Sequence, residues 1–145
     1  MRLLFALAAE KDWLVDHVDI EAAFLHGDVQ EEIYIEQPEN FILEGSESKV
    51  CKLSKAIYGL KQAAKCWYEK AKRIMMELNF CKFEHEPCVF YKFVNREVII
   101  VTMCVDDFII FSSRQDEMSK LKRGLKERLD VRDLGPMDDS PLGRP

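Results

Sequence analysis

Two adjacent carboxylates, Asp106 and Asp107, interrupt the segment Ile99-Ile100-Val101-Thr102-Met103-Cys104-Val105-Asp106-Asp107-Phe108-Ile109-Ile110-Phe111. Apolar strand-like runs of this kind are normally buried, and an unpaired charge inside them is costly. Two arrangements compensate. One is a turn that points into water, for which Asp is well suited. The other is a bound divalent cation, because hard cations such as Mg²⁺ prefer carboxylate oxygens and commonly take only one or two from the protein. The segment by itself leaves both open. A two-metal centre needs another carboxylate from elsewhere, since two cations ~4 Å apart can activate an attacking hydroxyl and stabilise a leaving phosphate oxygen. Asp19, near the end of an apolar stretch, is the best-placed candidate, while Asp16 lies three residues earlier and is expected on the opposite side of the same strand.

These carboxylates need elements to position them. Residues 2–11 read as a short helix with Leu3, Leu4, Leu7 and Ala8 on one face. Residues 13–20 read as the strand that carries Asp19, and Gly27-Asp28 marks a turn. Short strands are expected at 33–36 and 49–53, on either side of a polar loop at 39–48. Trp67, Ala71, Ile74 and Leu78 recur at helical spacing and predict a helix over 62–79. Two hairpins follow: 88–94 with 97–103 around Asn95-Arg96, then 98–104 with 108–113 around Val105-Asp106-Asp107. A last helix begins near Ser113, with Asp116 placed for a capping box and Met118, Leu121, Leu125 and Leu129 as its apolar stripe. Helices segregated from an antiparallel sheet give an α+β fold.

The chain has 145 residues, of which 48% are hydrophobic and 32% charged, enough for one core without staples. No apolar run approaches the ~20 residues of a membrane span, and no secretory signal is visible. The expected setting is intracellular, with cytoplasm and nucleus undecided. The 5 cysteines include no CxxC pair, which argues for reduced, partly buried thiols rather than a zinc site. A net charge of −5 argues mildly against a nucleic-acid binder, but its distribution does not. Asp28 to Glu47 carries seven acids and no Lys or Arg; Lys49 to Arg73 carries eight basic residues and one acid, Glu69. Such a basic stretch can contact phosphates or form a solvated face.

Val18-Asp19-Ile20-Glu21-Ala22-Ala23-Phe24-Leu25-His26-Gly27-Asp28 resembles the first catalytic motif of copia-type retrotransposon reverse transcriptases. Glu32-Ile33-Tyr34-Ile35-Glu36-Gln37-Pro38 looks like the segment after it, and Tyr58-Gly59-Leu60-Lys61-Gln62-Ala63 with Trp67-Tyr68 like the next block. Cys104-Val105-Asp106-Asp107 is similar to the YVDD box, and Asp133-Leu134-Gly135 to a downstream signal. The five blocks stand in the family's order across nearly all of residues 2 to 135.

The resemblance implies a polymerase palm-like antiparallel sheet with helices packed on one face, over 1–135, followed by an irregular tail at 136–145. It implies RNA-directed DNA polymerisation, with Asp19, Asp106 and Asp107 holding two Mg²⁺ ions and the backbone carbonyl of Ile20 as a further ligand. Phe24 would lie under the nucleotide sugar and exclude a 2′-hydroxyl. Tyr58, Gly59 and Lys61 would line the nucleotide and template side, with Gly59 allowing close backbone approach; Lys61 and Lys65 would meet phosphates. The implied partners are an RNA or DNA template-primer and deoxynucleoside triphosphates, with no membrane.

Cys104 stands where the family has Tyr, removing a ring beside the primer end, and Ala64-Lys65 replaces a Pro-Arg pair. The fingers and thumb segments of the family are not recognisable, so missing segments or another protein would cover exposed palm surface. Little or no activity is expected of the chain alone. Two rival readings stand beside this one. The first is a non-catalytic retrotransposon remnant, or a retained fragment that binds RNA or a protein partner through Lys49–Arg73. The second is a generic α+β module whose acidic turn lies more than ~10 Å from Asp19, too far for a shared metal pair.

Overall fold

The computed structural model describes residues 1–137. In chain order the elements are α1 (Arg2–Glu10), β1 (Leu14–Ile20), a 3-10 turn (Ala23–His26), β2 (Tyr34–Glu36), a second 3-10 turn (Glu39–Phe41), β3 (Val50–Lys52), α2 (Ala63–Glu77), β4 (Cys81–Lys82), β5 (Val89–Val94), β6 (Glu97–Cys104), β7 (Asp107–Ser112), α3 (Gln115–Lys126) and β8 (Val131–Pro136). The described residues form two compact units, one of residues 1–23 with 71–137 and one of Phe24–Lys70.

The first unit is built on a six-stranded sheet in the order β4-β5-β6-β7-β1-β8, in which every neighbouring pair is antiparallel. Alternation decides which side chains enter the core. On β1, Asp16, Val18 and Ile20 are buried, while Val15, His17 and Asp19 are half-buried on the other face. Asp16 shares its face with α3, because Lys122 of α3 binds its carboxylate. The apolar stripe of α3 (Met118, Leu121, Leu125) is buried, as its spacing predicts.

Helix α1 covers the opposite face. Phe5 meets Phe111 edge-on, with ring centres 5.2 Å apart, and Phe111 pairs with Val15. The helices are therefore not confined to one face of the sheet. Leu3, expected inside, is 79% exposed; Phe5 takes the inward place, because the face toward the sheet is centred one residue further along the helix.

Both expected hairpins form, the second with a shorter turn than the three residues expected, and their turns have left-handed residues. Asn95 and Arg96 have φ of 50° and 68°, the twist-compatible form of a two-residue loop. Cys104 pairs with Asp107, so the second turn is Val105-Asp106 alone, with Val105 at φ 57°.

Two strands escape the sequence pattern. β4 has two residues and β8 lies at the sheet edge with little of its surface buried, so neither has an apolar alternation to read. β8 pairs with β1, and the register shift between His17 and Val18 leaves Leu134 as an extra residue beside Gly135 at φ 80°. Pro136 ends this strand, and the Met137 amide donates to the Val15 carbonyl at 2.8 Å. The rest of the expected irregular tail lies outside the described residues.

The capping box does not form. α3 starts at Gln115, and Asp116 takes the Arg114 guanidinium through two contacts of 3.0 and 2.7 Å. The hydrogen bond from Arg114 is the main reason that the Asp116 pKa falls to about 2, with the nearby charges of Arg114 and Lys120 adding to it. The Arg114 amide is satisfied instead by Ser112 Oγ at 3.0 Å.

The second unit contains the two-stranded pair β2-β3 and the start of α2. Gly27 packs directly on that helix: a Cβ there would come within 2.8 Å of the Trp67 nitrogen and 2.9 Å of the Cys66 carbonyl carbon. Gln37 closes the loop after β2. Its Nε2 donates to the carbonyls of Ser46 and Lys49 at 2.7 and 2.9 Å, and its Oε1 accepts from the Leu43 amide at 3.0 Å.

Candidate metal and nucleotide site

Asp19 and Asp107 are direct partners across β1 and β7. Opposite residues of an antiparallel pair lie about 4.5–5.5 Å apart at Cα and project to the same face. The third carboxylate, Asp106, sits in the turn that precedes β7, and its carbonyl accepts the Ile20 amide at 2.8 Å. All three acids are half-buried. The backbone thus brings Asp19, Ile20, Asp106 and Asp107 to one end of the β1–β7 pair. This removes the reading in which the acidic turn lies far from Asp19. Asp16 is on the opposite face, as alternation requires.

The side chains are less convergent than the backbone. Among the described residues, no group of three or more carboxylate, imidazole or thiol side chains is gathered closely enough to hold a metal ion. Asp107 is turned toward His17, whose Nε2 stands 2.6 Å from its Oδ1. The sequence marks His17 only as an interruption of an apolar strand. Its place two residues before Asp19, hence on the same face, is the signal that could have singled it out.

Beneath the site, Lys122 reaches Asp16 and, at 2.7 Å, Asp133 of the Asp133-Leu134-Gly135 segment. Asp133 Oδ1 also accepts the Gly135 amide at 3.0 Å. Burial opposes the Lys122 charge, but hydrogen bonds to Asp133 and Asp16 outweigh it and raise the Lys122 pKa. Burial likewise pushes Asp133 up, and the Lys122 and Gly135 bonds outweigh it, so its pKa is lowered. The segment therefore ties β8 and α3 to β1, the strand of Asp19.

The remaining candidates belong to the second unit. Phe24 and Tyr58 stack edge-to-face with centres 4.5 Å apart, Phe24 half-buried and Tyr58 62% exposed. Gly59 has φ 92°, and a Cβ there would meet nothing within 4 Å. Its glycine is required by backbone conformation; close approach of another protein atom is not the reason. Lys61 and Lys65 are exposed. The acidic and basic stretches partly neutralise each other: Lys52 pairs with Glu32 and Lys55 with Asp28. The thiols are free, and Cys51, Cys81, Cys88 and Cys104 are exposed rather than partly buried: Cys51, Cys81 and Cys104 sit on short or terminal strand positions and Cys88 in the turn before β5.

A family model described as reverse transcriptase (RNA-dependent DNA polymerase) matches residues 1–143. The chain belongs to the reverse transcriptase family. Its relatives include the retrovirus-related Pol polyprotein from transposon TNT 1-94 of Nicotiana tabacum, 43% identical over 94% of the chain and 10% of the relative. The corresponding polyprotein from transposon RE1 of Arabidopsis thaliana is 28% identical over 92% of the chain and 9% of the relative. The transposon Ty1-NL2 Gag-Pol polyprotein of Saccharomyces cerevisiae is 33% identical over 92% of the chain and 7% of the relative. These are copia-type relatives, in agreement with the resemblance of the motifs, and the chain spans about a tenth or less of each. No solved structure matches. Among the described residues of this reverse transcriptase domain, no helix is long and apolar enough to cross a membrane.

Proposed function

We propose that the first unit is the palm of an RNA-directed DNA polymerase and that Asp19, Asp106 and Asp107, with the Ile20 carbonyl, hold two Mg²⁺ ions. The observation that carries this reading is the pairing of Asp19 with Asp107 next to the Asp106 turn. The donor types suit the ion, being hard carboxylate oxygens at three half-buried positions, and their side chains would converge on it by rotation. When bound, the metals would lower the pKa of a primer 3′-hydroxyl and offset charge on the incoming triphosphate. The chain's own contribution is positional. The β1–β7 register sets the spacing of Asp19 and Asp107, and the Ile20–Asp106 hydrogen bond holds the turn against the end of β1.

In the second unit, Phe24 and Tyr58 offer an aromatic surface for a nucleotide sugar, Gly59 a backbone free of side chain, and exposed Lys61 and Lys65 charge for phosphates. The substrates of this reading are a template-primer and deoxynucleoside triphosphates. Since much of a polymerase's rate comes from positioning of substrates, the isolated chain extends primers little or not at all.

Calorimetry with Mn²⁺ and Mg²⁺ tests the metal site. Binding by the wild type that is weakened by Asp19→Asn, Asp106→Asn and Asp107→Asn supports it; no binding, or binding indifferent to all three, overturns it. A primer-extension assay on an RNA template tests the expected inactivity, which template-dependent extension abolished by Asp106→Asn overturns. A non-catalytic binding module predicts instead a salt-dependent RNA shift without any binding of metal at the three carboxylates.

A further inference from the structure

His17 is a strand residue with an imidazole where an apolar side chain would cost nothing. Alternation puts it on the face of Asp19, away from the face that α3 covers. Its direct partner on β7 is Ile109, so Asp107 is its diagonal neighbour, two residues along. Diagonal positions are ~7–8 Å apart at Cα, within reach of a long side chain. The imidazole closes that gap, with Nε2 2.6 Å from Asp107 Oδ1. The contact is sheltered on the His17 side, which is 27% exposed, and more open at Asp107, 46% exposed.

We infer that His17 is a positioning residue for Asp107, holding Oδ1 so that Oδ2 is the oxygen left for the site shared with Asp19 and Asp106. The inference rests on the metal-site reading above. A carboxylate has two oxygens and about four lone-pair directions. A donor on Oδ1 leaves Oδ2 free and removes rotational freedom that a half-exposed Asp at the start of a strand otherwise retains. Side chains that orient a ligating carboxylate in this way commonly change metal affinity by ~10–100-fold when removed. The alternative is an ordinary half-exposed contact, which contributes little and has no effect on a ligand.

The test uses Mn²⁺ alone, titrated calorimetrically into the full chain at one fixed pH, with the thermal midpoint recorded for each variant. His17→Ala and His17→Leu lack a donor; His17→Gln carries an amide nitrogen of similar reach. The expected result is Mn²⁺ affinity reduced about tenfold in the first two, recovered in His17→Gln, with thermal midpoints close to wild type. Wild-type affinity or tighter binding in His17→Ala and His17→Leu, where Asp19→Asn still weakens binding, overturns this inference and leaves the metal site standing. A wild type that binds no Mn²⁺ overturns the metal site and this inference with it.

Discussion

Asp19 and Asp107 face each other across β1 and β7, two like charges at directly opposed positions. Such a pair destabilises a sheet by a few tenths to about 1 kcal/mol. Without divalent cations, Asp19→Asn is therefore expected to melt at or slightly above the wild-type temperature. With Mg²⁺ at ~100 times its dissociation constant, the wild type gains about 2.7 kcal/mol and the variant much less. Thermal melts in EDTA and in Mg²⁺ check this; equal Mg²⁺ gains in both chains contradict it.

The buried charges on the other face of β1 make a stability prediction. Lys122 is the ion-pair partner of Asp16, whose side chain is only 6% exposed. Lys122→Met leaves that carboxylate buried without a cation and is expected to cost ~3–5 kcal/mol. Asp16→Leu combined with Lys122→Leu removes both charges and should recover much of the loss. Urea unfolding of the single and double variants measures the difference, and a double variant no better than the single one refutes the argument.

The same cluster sets a pH dependence. The Asp133 pKa is lowered in the folded chain from its ordinary 3.8, so its contribution is complete above that value and is lost as pH falls through the lowered one. The Lys122 pKa is raised from 10.5, so its contribution is complete below that value and is lost as pH rises through the raised one. Between these limits the pair predicts a flat profile, with decline at both extremes. In Asp133→Asn the acid limb should become shallower, which unfolding followed against pH reads directly.

Val105, a β-branched residue at φ 57°, carries backbone strain of ~1–3 kcal/mol. Val105→Gly relieves it while adding up to ~1 kcal/mol of chain entropy to be lost on folding. The expected outcome is a midpoint of urea unfolding equal to or above the wild type. A clear drop would mean that the valine side chain contributes packing that its 51% exposure does not suggest.

Gly27 makes the opposite case, where space rather than φ decides. A methyl there meets the backbone of α2, which cannot step aside as a flexible side chain can. Gly27→Ala is expected to cost ~1–3 kcal/mol, measurable by chemical denaturation. Gly59→Ala instead meets no atom and is strained by its φ of 92° alone.

Most of the first unit was legible from residue order, for particular reasons. The runs 88–94 and 97–103 are rich in Val, Ile, Phe and Tyr on either side of Asn95-Arg96, and α3 has a regular apolar stripe, so local pattern and final structure agree. The exceptions are places where the pattern is silent. β8 has no apolar alternation because its backbone hydrogen bonds to β1 and the Asp133–Lys122 ion pair, not buried apolar side chains, place it. Asp116 looks like a cap from spacing but is taken by the nearer Arg114.

The Asp106–Asp107 pair, the strand position of Asp19 and the family motifs are properties of residue type and order, and the sequence by itself determined them. That Asp19 stands opposite Asp107, that His17 reaches the same carboxylate and that Lys122 neutralises Asp16 were decided by the tertiary structure. The reason is physical: residues 90 positions apart meet only through strand register. Register is set by which faces of β1 and β7 can be buried together, a condition on the whole sheet that no single segment contains.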